Sequence, residues 1–567
     1  MFYDHFDAFN NSFHSPRRSP DFGTSADVRV SRMMVCLMAT ASLLFAGCGS
    51  VNKFTGQNHN QNNKNNVSPM TPEQIAEARE VSRLYGLYNP WQLPPKPLEQ
   101  DGLGVWRRSD VAYVRPGYEA LKARMTLLDN ATRSVRLQTF IFDGDETGQA
   151  FANKLIDLAA RGIDVQLVVD DTSGLFEGWQ NLYYYLTSHG IKVNGYRPVW
   201  MQIGNNPNVF ARMFFGTTLQ ERFGDALTIA KIENHRFHEK IMVVDAEIPS
   251  HAIAMVGGTN LGNEYYDIMN QAGELKWRDQ DMLVRGDIVT DLALAFDSNV
   301  VDINAVNSQA FFSDTIEDLV SGQRGSFGRD QAKGVQSRPY PMQQYNEALA
   351  TTPTLRWHTA NIRQIHHRPL HNEFKAEKRL ASAIMSAQRE VIIVNPYVIP
   401  SEELMNAIIT SARRGVQIKI LTNSLASGDT PTVQEVGRTY YKSLILETQP
   451  SNQWPYSAPV TIYEWGGDSV FKNGFSNFHA KYVLVDRQLA FLGSFNLDPR
   501  SAVWNSEVLY ETDAPLLVAQ LIEQQAHDSG PGYSTVVTKE MAESYRTTKT
   551  TYESLRRNAL LFFKNFL

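Results

Sequence analysis

Two stretches of the chain carry the same side chains at the same spacing. Phe237-His238-Glu239-Lys240 runs through apolar residues to Asp245 and then reaches Val256-Gly257-Gly258-Thr259-Asn260. Phe478-His479-Ala480-Lys481 runs likewise to Asp486 and then reaches Leu492-Gly493-Ser494-Phe495-Asn496. Histidine is scarce, 13 in 567 residues, so a doubled His-x-Lys-x-x-x-x-Asp followed each time by Gly-x-x-Asn is not a chance pattern. On an extended chain alternate side chains share a face, which sets His238 beside Lys240 with Glu239 turned away, and His479 beside Lys481 around Ala480. Brought together about a pseudo-twofold axis, two imidazoles, two ammonium groups and the amides of Asn260 and Asn496 would surround one phosphodiester. Such a site needs no metal and no cofactor. One imidazole, neutral, attacks phosphorus, and the other, protonated, gives the leaving oxygen its proton, so their surroundings must separate their pKa values. The lysines and asparagines would hold the nonbridging oxygens, each charge-assisted bond worth about 1.5 to 3 kcal/mol. Asp245 and Asp486 stand an odd number of positions from their lysines and fall off that face, which suits a structural duty.

The elements that must carry these motifs repeat as well. Ser134–Phe142 reads as a strand, Thr147–Ala160 as a helix and Arg161–Asp170 as a second strand. Glu390–Tyr397, a helix capped by Ser401, and Arg414–Asn423 replay that order, with Arg414-Gly415 matching Arg161-Gly162. Strand, helix, strand with near-continuous apolar strands predicts parallel neighbours with helices on the sheet faces. The fold expected is α/β: two repeats, each a mixed β-sheet flanked by helices, packed about a pseudo-twofold axis.

The net charge of −6 argues against a nucleic-acid partner, which would need a basic surface. The only cysteines, Cys36 and Cys48, lie in an apolar N-terminal stretch, which excludes disulfide frameworks and cysteine zinc sites from the body. That stretch follows Arg29 and Arg32 and has the length of an export-signal core, and Leu44-Phe45-Ala46-Gly47-Cys48 resembles the lipobox of bacterial lipoproteins. The resemblance implies lipidation at Cys48 and a periplasmic position on the inner or outer membrane; a signal anchor in the inner membrane is the alternative. The organisation expected is an export signal over 1–48, a polar tether over 49–72, a helical segment over 73–104, repeat one over 105–320, a linker over 321–350, repeat two over 351–530 and a helical segment over 531–567.

At its motifs the chain resembles the phospholipase D superfamily, and within it the C-type bacterial cardiolipin synthases. Beyond the paired motifs, the likeness rests on Leu137–Phe142, Asp170-Asp171, Trp277-Arg278-Asp279, Asn395-Pro396-Tyr397, Asn423–Ala426 with Asp429, and Gly493–Ser501 with Asn505 and Glu507. It implies a ping-pong reaction in which one histidine, His238 by family habit, forms a phosphatidyl-histidine and His479 serves as acid and then base. Asp279, or alternatively Asp281, and Glu507 match the carboxylates that orient the histidines, and Gly257, Gly258, Gly493 and Ser494 match supporting positions. Asn423–Ala426 is expected to flank the acceptor. The implied substrates are phospholipids at a membrane surface: phosphatidylglycerol as acceptor, with a second phosphatidylglycerol or phosphatidylethanolamine as donor. Hydrolysis of phospholipid by the same histidines is the alternative, since motif residues do not decide between water and an alcohol.

Three features are assigned bland roles. His366-His367 with His371 reads as a solvated loop because Pro369 interrupts it. The run Val209–Phe215 is balanced between core and a membrane-dipping loop, and Leu555–Leu567 is a basic amphipathic helix expected to dock on the body.

Overall fold

The computed structural model describes residues 102–170, 180–196, 235–268, 276–308, 342–429 and 431–547. Chain contacts divide the protein between Thr71 and Pro72, and every described residue belongs to the second unit. The expected export signal with Cys48, the tether, the segment from 73 up to 101, the Val209–Phe215 run, the linker up to 341 and the Leu555–Leu567 run lie outside the described residues.

In the first repeat the strands are β1 (Arg107–Val114), β2 (Ser134–Thr139), β3 (Asp164–Asp170), β4 (Lys192–Tyr196), β5 (Ile241–Val244), β6 (Ile253–Gly257), β7 (Lys276–Arg278) and β8 (Asp281–Gly286). In the second they are β9 (His358–His367), β10 (Glu390–Val394), β11 (Gln417–Asn423), β12 (Thr461–Trp465), β13 (Phe475–Phe478), β14 (Tyr482–Val485), β15 (Leu489–Gly493), β16 (Glu507–Thr512) and β17 (Ser534–Val536). Among the described residues fifteen of these form one sheet in the order β17-β12-β11-β10-β14-β15-β16-β9-β1-β8-β6-β5-β2-β3-β4, while β7 and β13 pair separately. The two halves join where β1 meets β9, antiparallel, and read outward from that seam they repeat the same strand roles.

The α/β expectation is borne out, with parallel pairs β2/β3 and β10/β11 inside a mixed sheet. The intervening helices begin at side-chain caps: Asp145 accepts from Gly148 N at 2.9 Å and Ser401 from Leu404 N at 3.2 Å. They end where Gly162 (φ 84°) and Gly415 (φ 95°) turn left-handed, so β3 and β11 start after the Arg-Gly pairs rather than on them. Strand β2 likewise stops at Thr139, short of Phe142, because Phe142 leaves the ladder to bridge Leu261.

Strands β6 and β15, separated in the sheet by β16, β9, β1 and β8, nevertheless touch, so the sheet curls back on itself. Its inner core draws on both halves, with Ile241, Val243 and Val256 from one and Tyr482, Leu484 and Leu492 from the other. Separate cores lie beneath the helices of each repeat. His366 and His367 require a correction. They are not in a loop but close β9, held by pairing with Val508 and Glu507 of β16, and Pro369 ends the strand only after them. His371 alone is solvated, and its Nε2 meets Asp302 at 2.8 Å.

Candidate active site

Each motif enters a short hairpin, β5/β6 or β14/β15, and each hairpin is braced by its aspartate. Asp245 (φ 53°) accepts from the main-chain nitrogens of Thr132 at 2.9 Å, Arg133 at 2.7 Å and Ser134 at 3.0 Å. Asp486 (φ 52°) does the same for Gln388, Arg389 and Glu390 at 2.9, 2.7 and 3.0 Å. Both carboxylates therefore fix where the neighbouring strand starts and point away from the histidines. At the far end of each hairpin the backbone is crowded. A Cβ on Gly258 would lie 2.2 Å from Asp279 Oδ1, and one on Gly493 would lie 2.2 Å from the carbonyl oxygen of Val508. Ser494 accepts from Val508 N at 3.0 Å, tying the Asn496 loop to β16.

The histidines are held by the opposite repeat. His238 Nδ1 meets Glu507 Oε2 at 2.9 Å, and His479 Nδ1 meets Asp279 Oδ2 at 2.6 Å. The main chain crosses too, with His238 N donating to Ser506 O at 3.0 Å and His479 N to Arg278 O at 2.7 Å. Of the two acids near β8, Asp279 is thus the one at the imidazole, while Asp281 pairs with Arg124 at 2.9 Å. With Nδ1–H donated to a carboxylate, each ring keeps Nε2 for chemistry. The lysines sit close behind, each Nζ donating to the carbonyl of its own motif histidine. Asn260 Nδ2 donates to Tyr265 Oη at 2.9 Å while its Oδ1 accepts from Ile141 N at 3.2 Å. Asn496 is equally buried, and its main-chain N donates to Ser501 Oγ at 3.3 Å.

Burial dominates the electrostatics. It pulls both imidazoles from 6.5 to about 4; at His238 the Glu507 charge opposes this and Lys240 adds to it, whereas at His479 Lys481 adds to it and Asp279 opposes it. Burial also brings Lys240 down to about 7 and Lys481 to about 8. Glu507 resists the same desolvation, because His238, Lys240 and Ser494 hold it at about 2. An anion bound among these groups would favour the charged form of every cation around it.

Several contributors could not be read from spacing. Gln280 clamps the main chain of Lys481 from both sides, accepting from its N at 2.7 Å and donating to its O at 3.1 Å. Ser501 and Asn505 donate to Glu507 Oε1 at 2.7 and 3.2 Å, which fixes the carboxylate. Phe140 lies 5.0 Å from the His238 ring, and Trp277 and Tyr265 lie 5.3 and 5.6 Å from His479. Asn423, expected to flank the acceptor, is engaged by the protein itself. It is buried at the end of β11, where its side chain bonds Asn477 and both the N and O of Phe478 at 2.8 Å, fixing the approach to His479.

Comparison with known proteins places this geometry. A family model described as cardiolipin synthase, PLD-like domain, matches residues 125–282 and 380–528, together more than half the chain. Cardiolipin synthase C of Escherichia coli is 26% identical over 433 residues, covering 72% of this chain and 82% of that protein. A cardiolipin synthase of Geobacillus thermodenitrificans is 26% identical over 435 residues, covering 75% and 68%. Among solved structures, a phosphatidylserine synthase of Haemophilus influenzae superposes with a TM-score of 0.52 at 14% identity, covering 87% of this chain and all of that one, which speaks to the fold alone.

Proposed function

We propose, for a chain that belongs to the family described as cardiolipin synthase, PLD-like domain, and is therefore a phospholipase D-type phosphatidyltransferase, a two-step exchange that yields cardiolipin. In the first step His238 Nε2 attacks the donor phosphorus, and His479 supplies the proton on which the headgroup alcohol departs. A phosphatidyl group is then bound to His238. In the second step His479, now neutral, takes the proton of a phosphatidylglycerol hydroxyl, whose oxygen displaces His238 from phosphorus. Lys240, Lys481, Asn260 and Asn496 stabilise the nonbridging oxygens, and Glu507 and Asp279 keep each ring aligned and offset its positive charge. The donor is phosphatidylglycerol or phosphatidylethanolamine. Cys48 anchors the enzyme to the periplasmic side of the envelope, which puts the site at its lipid substrate.

The observation that carries this reading is the crossed pairing, in which each motif histidine takes its carboxylate from the other repeat. It makes one site of two motifs. Lipid mass spectrometry of a host lacking cardiolipin, expressing the protein or its His479→Ala form, provides the test. Cardiolipin is expected with the intact protein alone. Accumulation of phosphatidic acid in its place would mean that water is the acceptor and the protein is a hydrolase.

A further inference from the structure

The two flanks of the paired histidines differ in charge. Arg236 stands two residues before His238, where the second repeat has Asn477 before His479. Arg500 stands four residues after Asn496, where the first repeat has Glu264 after Asn260. The fold brings the two arginines to one place. Ser506 N donates to Arg236 O at 2.8 Å, while Trp504 N and Asn505 N donate to Arg500 O at 2.8 and 3.0 Å. His235 Nδ1 meets Trp504 O at 2.6 Å and locks the strand entering the first motif onto this turn. Asp170, fully buried at the end of β3, lies 4.0 Å from Arg236. Arg500 is held below its ordinary value by burial and then by the Arg236 charge, so the guanidiniums are within electrostatic reach.

The opposite flank is acidic. Asp143, Asp145 and Glu264 bring carboxylate oxygens within 4.8 Å of one another, and the charge of Asp429 reaches both Lys481 and Tyr265. A phosphodiester approaching from that side meets carboxylates; one approaching past Arg236 meets two guanidiniums, with Asp170 and Asp498 as their counter-charges.

We propose that Arg236 and Arg500 form a second anion subsite, which takes the phosphodiester that the acceptor phospholipid already carries. The inference rests on the synthase reading. Its dimensions are suitable: residues two apart on an extended chain lie roughly 7 Å from each other, so Arg236 and His238 share a face at that spacing. The glycerol of the acceptor places its terminal hydroxyl roughly 5 Å from its phosphate oxygen, by ordinary bond lengths. An acceptor phosphate at the arginines therefore sets that hydroxyl beside the phosphatidyl group on His238. Planar guanidiniums suit this work because each can present paired donors to two phosphate oxygens.

The test is a competition in mixed micelles, with the purified enzyme and a labelled donor, between phosphatidylglycerol and free glycerol as acceptors. Glycerol has the hydroxyls but no phosphate, and the ratio of the two kcat/KM values is independent of how much enzyme is folded. In R236Q and in R500Q the preference for phosphatidylglycerol is expected to fall at least tenfold, with a partial return in R236K. An unchanged ratio in both glutamine variants would overturn the subsite and leave the synthase reading intact. An unaltered enzyme that transfers to neither alcohol and releases only phosphatidic acid would overturn both.

Discussion

The first and second repeats share a frame and differ in what fills it. Asp245 and Asp486 brace equivalent hairpins with nearly equal bond lengths, and each histidine takes a carboxylate from its partner repeat. Around that frame the likeness ends. His238 lies against the ring of Phe140, and its Glu507 is clasped by Ser501 and Asn505. His479 lies against Trp277 and Tyr265, which also touch each other, and Gln280 holds the main chain of Lys481. Behind His238 sits a buried Glu239, where the second repeat has Ala480. The surroundings differ, yet burial draws both rings to about 4, so the split that a two-step exchange requires, one ring attacking while the other carries a proton, falls to the bound phosphodiester and not to the protein alone.

The comparison breaks most visibly at the histidines. H238A and H479A should each reduce product formation by at least about 10⁴-fold, and the double variant should be no worse, because the two rings act as one unit. Additive losses would mean separate sites. The roles are separated by a donor whose leaving group needs no proton: H479A should then accumulate a phosphatidyl-enzyme detectable by intact-protein mass spectrometry, and H238A should not. The reverse pattern would exchange the two roles. Next in size are the crossed carboxylates. E507Q and D279N should each lower kcat about 10²- to 10⁴-fold in protein that a thermal melt shows to be folded, because an amide favours the wrong tautomer of the ring it faces.

Much of the site was legible because its chemistry is written in short range. Spacing alone puts His238 with Lys240 and His479 with Lys481, and the alternation rule keeps Asp245 and Asp486 off the reactive face. The α/β repeat could be read from apolar runs and Arg-Gly stops. What spacing could not supply is tertiary pairing. Nothing local distinguishes Asp279 from Asp281; the choice follows from β8, whose first residue turns to Arg124. Gln280 acts through its side-chain amide on a strand about 200 residues away, and no periodicity announces such a bond. Pro369 hides the place of His366 and His367 on β9, and the bonds that bury Asn423 reach residues more than 50 positions away, beyond any local pattern.

A smaller effect probes the lysines on either side of the comparison. Both are drawn well below the usual lysine range by burial, to about 7 for Lys240 and about 8 for Lys481. A lowered lysine pKa means that the useful charge is lost early as pH rises. The kcat/KM for phospholipid, which reports the free enzyme, should therefore decline above pH 7 to 8, by up to about tenfold per unit for each lysine that must be charged. Bound phosphodiester favours the ammonium forms, so the decline in kcat should lie at higher pH. An alkaline limb near pH 10 in kcat/KM would show that the lysines are hydrated in the free enzyme.

The smallest expected effect on turnover concerns the residue that most plainly distinguishes the repeats away from the reactive face. Glu239 is fully buried; Asn299 Nδ2 donates to its Oε2 at 2.8 Å, and burial raises its carboxyl from 4.5 to about 7. A carboxyl raised on folding binds its proton more tightly in the native state than in the unfolded chain. Its contribution to stability is therefore complete below about pH 4.5 and is lost as pH rises through 7. E239Q, which cannot ionise, should be more stable than the parent at pH 8 by on the order of 2 to 3 kcal/mol at most, with the advantage shrinking toward pH 5. Denaturant unfolding at the two pH values measures this directly. The same exchange made as A480E in the second repeat should reverse the sign, destabilising most at pH 8, because it inserts an ionisable group into the inner core beside Tyr482 and Leu484. Equal stability of E239Q and parent at both pH values would mean that the charge behind His238 is solvated, and that the repeats differ less behind the site than they do within it.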